Sequence, residues 1–231
     1  MINKNKTINI IVFIITFLLI GSVLIFSLLP NVVLNAFVTI SGFIIPSILI
    51  LITMIVEIKK SNNINEKKKI SRFWLKMLFA IYCLLLITIL FLNNEYRMTG
   101  FQAINSNTFS AEHLKTINII PFASIIKYIS GWISHSVRTN IVFINLCGNL
   151  ILFAPLGFFV PILFEDKIKN TKQFILMIIV VTISVEALQF ISYTGSTDID
   201  DIILNTIGAV IMFNIMKTKL ARKILKKVIE L

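Results

Sequence analysis

The sequence predicts an all-α protein, a polytopic membrane helix bundle of about six transmembrane helices with an amphipathic helix in a long external loop. Three observations carry this. Apolar residues make up 57% of the chain and charged residues only 14%, against roughly 45–50% and 25% in an ordinary soluble domain. So few charges could not cover a water-soluble surface of this size. The apolar residues gather in six runs of the length a helix needs to cross the hydrocarbon, about 20 residues, because in lipid the backbone must satisfy its own hydrogen bonds. The basic residues lie in short clusters between those runs. A net charge of +11 therefore reads as loops held against anionic lipid rather than as a nucleic-acid surface, which would interleave basic and base-stacking aromatic residues.

The first run, Ile8 to Leu29, follows Lys4 and Lys6. A basic start before an apolar stretch also opens a secretory signal, but no small-residue cleavage pattern follows, and the run is expected to stay as a signal anchor. The second, Val32 to Glu57, comes after little more than Pro30 and Asn31, which predicts a tight helical hairpin. Gly42 with Pro46 is expected to kink it. A basic loop at 58–72 leads to the third run, Phe73 to Leu92. The fourth, fifth and sixth are Ile141 to Phe164, Gln173 to Tyr193 and the short Asp200 to Met216. The chain thus divides into N-terminal membrane helices (1–92), an external loop with three further spans (93–216) and a basic tail (217–231).

The long loop, Asn93 to Asn140, has its own pattern. After Pro121 the apolar residues Phe122, Ile125, Ile126, Ile129, Trp132 and Ile133 recur at helical spacing, with Ser124, Lys127 and Ser134 between them. Pro121 suits the first turn of a helix. The expected element is an amphipathic helix lying at the membrane surface or folded back on the bundle.

Charge bias orients the spans. With the N-terminus in the cytoplasm, all but four of the 22 basic residues fall inside, and the exceptions, Arg97, Lys115, Lys127 and Arg138, share the one long loop. The flipped orientation fits this badly, so a bacterial cytoplasmic-membrane protein with both termini cytoplasmic is expected. The tail from Lys217 to Lys227 is then placed on anionic headgroups.

The informative residues are those for which lipid is an expensive solvent. Glu186 lies about two turns inside the fifth span, and an ionised side chain near mid-membrane costs roughly 2.5–3.5 kcal/mol on insertion scales. Gln189 follows on the same face at i+3. Asn145 and Asn149 sit at i,i+4 in the fourth span, with Pro155 and Gly157 after them. The sixth span opens with Asp198, Asp200 and Asp201, and Asn205 and Gly208 continue the face of Asp201. Carboxylates suit the positive end of that helix. These sets predict an outward polar site between the last three spans, with the helix after Pro121 as a lid. Each also has a plainer reading: Asn and Gln as packing glue between helices, and the aspartates as an N-terminal cap. Cys83 and Cys147 lie in apolar runs and read as buried small hydrophobes. His113 and His135 lack partners for a metal set, and Glu57 sits at the cytoplasmic edge beside Lys59 and Lys60, where an acid costs little.

In order along the chain, NIIPF (Asn118 to Phe122), NLCGNLILFAPLGF (Asn145 to Phe158), EALQ (Glu186 to Gln189) and DIDDIILNTIGA (Asp198 to Ala209) resemble the VanZ-like family of bacterial membrane proteins. The resemblance covers roughly the second half of the chain. It places the family pattern on Asn118, Pro121, Phe122, Asn149, Pro155, Gly157, Glu186, Gln189, Asp198, Asp201, Asn205 and Gly208. It implies an envelope protein associated with lowered susceptibility to the glycopeptide teicoplanin. Many members carry an arginine shortly before the first aspartate, where this chain has Gly195 or Ser196.

Two functions from different classes are compatible with these residues. One is a non-catalytic envelope protein whose polar site binds an amphiphilic or lipid-linked ligand, with Asn118, Asn145, Asn149, Glu186, Gln189, Asp198, Asp200, Asp201 and Asn205 as candidates. The other is an intramembrane transferase or hydrolase acting on a cell-wall lipid, with Glu186 or Asp201 as general acid or base and the three aspartates holding a divalent cation. Against catalysis, the sequence shows no His-based metal set, nucleophile signature or phosphate-binding loop. A transporter is less well supported, since the two halves are not alike. No cofactor and no nucleic-acid partner are expected; membrane lipids are. The orientation is tested by reporter fusions: a cytoplasm-active reporter at the C-terminus is expected to be active and an export-dependent phosphatase there silent, and the reverse would overturn the assigned topology.

Overall fold

The computed structural model of the chain describes residues 4–29, 32, 34–92, 117–168, 170–192 and 194–229. The expected hairpin at Pro30 and Asn31 and the loop residues Arg97, His113 and Lys115 lie outside the described residues. Among the described residues the elements are helices: α1 (Lys4–Leu28), α2 (Ala36–Lys60), α3 (Ile64–Phe91), α4 (Ala123–Ile133), α5 (Thr139–Leu152), α6 (Ala154–Leu163), α7 (Thr171–Ser192), α8 (Ile199–Lys217) and α9 (Lys219–Ile229). Six stretches are long and apolar enough to cross a membrane: Thr7–Leu28, Ala36–Lys60, Ile64–Phe91, Thr139–Leu163, Thr171–Ser192 and Ile199–Lys217. The protein is an all-α polytopic bundle of multi-pass membrane character. Large apolar side chains on their outer faces, such as Phe17, Phe37, Leu176 and Ile191, are exposed, as lipid-facing positions should be.

The chain divides into two compact units, Met1–Glu95 with Lys219–Leu231, and Tyr96–Thr218. In the first, α2 packs on both α1 and α3. Its start is capped by Asn35, whose side chain accepts from the Phe37 N–H, and α3 is capped likewise by Asn63. Pro46 lies inside α2, and the helix continues through it although its missing N–H removes the bond to Gly42. Gly42 serves a second purpose, because a Cβ there would collide with Val23 of α1. The core of this unit is Phe43, Ile50, Met54, Trp74, Leu75 and Ile81, with Phe13 stacked on Trp74. Most of the expected basic loop at 58–72 is helical, for only residues 61–63 separate α2 from α3. Lys, Glu and Arg are good helix formers, so hydropathy marks where the bilayer ends, not where the helix does. The basic tail is the helix α9, packed on α2 and α3.

In the second unit α8 is the hub, touching α4, α5, α6 and α7. The expected fourth span is two helices broken at the fully buried Phe153, with Pro155 in the first turn of α6, where its missing N–H costs nothing. Two glycines let α8 approach closely. A Cβ at Gly208 would overlap the Leu150 carbonyl of α5, and one at Gly157 of α6 would overlap the backbone of Ala209. At the far end Phe174 of α7 stacks on Phe213 of α8, with centroids 4.1 Å apart, and Lys217 lies over the Phe213 ring and donates to Thr171. Close backbone approach through small residues is how membrane helices gain dispersion without a hydrophobic drive between them. Gly208→Ala and Gly157→Ala should each destabilise by about 1–3 kcal/mol, read as a lower Tm in detergent. Gly148→Ala, where nothing lies in the way, should leave it unchanged, and three equal melts would contradict this packing.

Candidate functional site

The site is built around the start of α8. The segment before it is extended at Asp198 (φ −131°, ψ 121°) and pairs with the segment before α4: the Asn118 N–H donates to the Thr197 carbonyl at 2.8 Å, and the Ile199 N–H to the Asn118 carbonyl at 3.0 Å. Asp198 caps α8, its Oδ1 accepting from the Asp200 N–H at 2.9 Å. The same oxygen accepts from Asn118 Nδ2 at 2.9 Å, and Oδ2 accepts from the Ser124 hydroxyl. Asn118 also holds Ser124 Oγ (3.1 Å), and its Oδ1 accepts from the Ile120 N–H (3.1 Å). Both carboxylate oxygens of Asp198 are thus occupied by neutral donors.

Asp200, 1% exposed, turns the other way. Its Oδ1 accepts from the Phe122 N–H, and its Oδ2 from the N–H groups of Ser124 (2.8 Å) and Ile125 (3.1 Å). A helix start leaves about four N–H groups without partners. The local cap residue of α4, Phe122, supplies no side-chain bond; a carboxylate 78 residues further along the chain does so instead. The turn before α4 presents those groups. Ala123 N–H donates to the Ile120 carbonyl (3.3 Å) and Phe122 is left-handed (φ 68°, ψ 0°), the pattern of a type II turn with Pro121 at its second position. Pro121 therefore lies before the helix and not in its first turn: its fixed φ sets the turn, and α4 begins at Ala123. A phenylalanine at positive φ is costly, and the bond from its N–H to Asp200 helps hold it there.

Glu186 of α7, 4% exposed, accepts through Oε2 from the Asp198 N–H at 3.2 Å. Asp201 of α8 accepts from Asn149 Nδ2 of α5. Asn205, one turn further along α8, is 4% exposed, and its Oδ1 has no donor among the described residues. The structure therefore brings together Asn118, Asn149, Glu186, Asp198, Asp200, Asp201 and Asn205. It leaves Asn145 apart, bonded to the Ile141 carbonyl of its own helix at 2.8 Å. Gln189 is set against Gly195, where a Cβ would come within 3.2 Å of its side-chain amide nitrogen, and its backbone carbonyl accepts from the Thr194 N–H. Gly157 and Gly208 are helix contacts, as described above.

The electrostatics are unusual. The charges of Asp198 and Asp201 bear on Glu186, and among the described residues no Lys or Arg pairs with any of the four acids. The positive ends of α4 and α8 face Asp200 and Asp198 and offset those two. The three aspartates do not converge on a cation: Asp198 and Asp200 use both oxygens as hydrogen-bond acceptors and Asp201 faces Asn149. Among the described residues no group of three or more His, Cys, Asp or Glu side chains is gathered in the manner of a metal centre. In this arrangement Asp198 and Asp200 serve as hydrogen-bond acceptors for the starts of α8 and α4.

Two features escaped sequence reading. Ser124 bonds Asp198, its only local signal being a hydroxyl just inside a helix start. In the first unit Glu57 is no idle edge acid: it accepts from Asn9 of α1 and Trp74 of α3 and so ties three helices. No local pattern announces partners so distant along the chain. Asp200→Ala should remove the acceptor of three N–H groups at a cost of about 2–3 kcal/mol, since bonds to charged groups are worth about 1.5–3 kcal/mol. Hydrogen exchange at residues 122–125 is expected to quicken at least tenfold while α9 is unaffected, and unchanged exchange at 122–125 would refute the clasp.

The family model described as VanZ/LLP1 matches residues 79–222, more than half of the chain. No match was found among curated proteins or among solved structures. The matched stretch contains α4 to α8 and every residue of the polar cluster, and the chain belongs to the VanZ/LLP1 family.

Proposed function

We propose that this protein is a non-catalytic component of the bacterial cytoplasmic membrane whose second unit binds an amphiphilic or lipid-linked envelope ligand in the outer half of the bilayer and thereby lowers susceptibility to glycopeptides such as teicoplanin. The observation that carries the reading is Glu186. It lies in a membrane-spanning helix, 4% exposed, with one carboxylate oxygen bonded and the other without a donor among the described residues. An ionisable group in that position is a functional candidate by default, because a purely structural role would not repay its desolvation. Asp201 and Asn205 share its neighbourhood through the start of α8, and α4, whose outer face exposes Ile126, Trp132 and Ile133, adjoins it as an interfacial helix. The charge bias of the loops supports a cytoplasmic N-terminus and so an outward site. The catalytic alternative has less support, since Asp198 and Asp200 use both carboxylate oxygens as hydrogen-bond acceptors.

The test is to express the wild type and the double variant Glu186→Gln, Asp201→Asn at equal membrane levels in a susceptible Gram-positive host and to measure teicoplanin susceptibility. The wild type is expected to raise the inhibitory concentration at least fourfold and the variant not at all. Equal protection by both would take the function away from the polar cluster, and protection by neither would remove the resistance reading.

A further inference from the structure

The polar cluster is short of donors. Four carboxylates meet at the start of α8, and the donors present, the Asn118 and Asn149 amides, the Ser124 hydroxyl and the backbone N–H groups of residues 122, 124, 125, 198 and 200, are spent on Asp198, Asp200, one oxygen of Glu186 and one of Asp201. What remains on the two acids is acceptor capacity, beside the buried and unpartnered hydroxyls of Thr197 and Thr206. Among the described residues no donor reaches Glu186 Oε1 or Asp201 Oδ2, and neither residue has a further hydrogen bond or ion pair. Asn205 adds an independent sign: it is 4% exposed, it lies one turn from Asp201 on the same face of α8, and its Oδ1 is unpartnered. A buried amide oxygen without a donor is rare in folded proteins.

We infer that Glu186, Asp201 and Asn205 form the subsite for a protonated primary or secondary amine carried by the amphiphilic ligand. Two carboxylates supply the charge, and three oxygens supply the directional acceptors that an ammonium with two or three N–H groups can satisfy. A phosphate or carboxylate headgroup would meet repulsion from the two acids. A quaternary ammonium would meet the charge but leave the oxygens without hydrogen bonds. A neutral hydroxyl would satisfy one oxygen and leave the like charges unopposed. Selectivity among amphiphiles of equal chain length thus follows from the headgroup alone.

This inference rests on the binding reading proposed above, and the experiment separates their failures. The full chain, purified in a neutral detergent, is titrated with dodecylamine, dodecyltrimethylammonium and 1-dodecanol at neutral pH, and bound equivalents are counted by native mass spectrometry. Dodecylamine is expected to bind one equivalent with a Kd at least tenfold below those of the other two. Glu186→Gln with Asp201→Asn should abolish that preference, and Asn205→Leu, which leaves both charges in place, should weaken dodecylamine several-fold without changing dodecanol. Circular dichroism melts of the variants show that they are folded. Equal binding of all three probes, or a dodecylamine preference that survives both variants, overturns the amine subsite and leaves an amphiphile site standing. No binding of any probe overturns the subsite and the binding reading together.

Discussion

A helix that starts inside a membrane protein leaves N–H groups that neither lipid nor water can satisfy, and in this protein the second unit is arranged around meeting that demand at two helix starts at once. α8 begins with its own cap, Asp198, while α4 borrows Asp200 from the first turn of α8. Since the two aspartates are two residues apart, satisfying one helix start positions the other. Asn118 and Ser124 then close the arrangement by bonding Asp198 from the α4 side. The result is a rigid junction in which acidic side chains serve as backbone acceptors, which is why acids that would be costly in lipid are tolerated here in such number.

The same junction leaves a remainder with consequences for function. Holding α4 and α8 consumes Asp198 and Asp200 but not Glu186 or Asp201, which the junction brings beside them. The close approach of α8 to α5 and α6 at Gly208 and Gly157 keeps Asn149 within reach of Asp201 and buries Asn205 between helices. Packing and polarity are therefore one design: without small residues at those two positions the backbones would stand apart and the amide would not meet the acid. The acids split into a pair that holds the fold and a pair with unused acceptor capacity, and the proposed function belongs to the second pair.

The first unit solves a smaller version of the same problem. Glu57 lies near the end of α2, and the Asn9 amide and Trp74 indole close on it from α1 and α3, beside the Phe13 and Phe73 rings stacked about Trp74. The basic residues of this unit lie at the end of α2, the start of α3 and along α9, which places them at the headgroup level if the spans run as their charges indicate. α9 exposes Leu220 and Ile224 among its lysines, the composition of a helix at an interface.

Hydropathy and charge alone determined that the chain is an all-α membrane bundle and where its six spans lie, because the cost of a helix in lipid is set residue by residue and sums along the segment. The break at Phe153 was not legible, since hydropathy runs unbroken from Ile141 to Phe164, but the membrane acids stood out because Asp and Glu are so rarely placed there. The roles of those acids were not legible. Asp198, Asp200 and Asp201 look alike in sequence, yet one caps its own helix, one caps a distant helix and one meets an asparagine; which of these each does depends on where α4 and α5 lie. Asn145 and Asn149 share a face by spacing, and only the approach of α8 at Gly208 singled out Asn149. Periodicity puts Pro121 inside a helix, because it cannot tell a turn that aims N–H groups at a carboxylate from the first turn of the helix itself. Partner choice over 50 to 80 residues of separation is decided by tertiary packing, since no local term in the sequence carries the energy of a contact that does not exist until the helices meet.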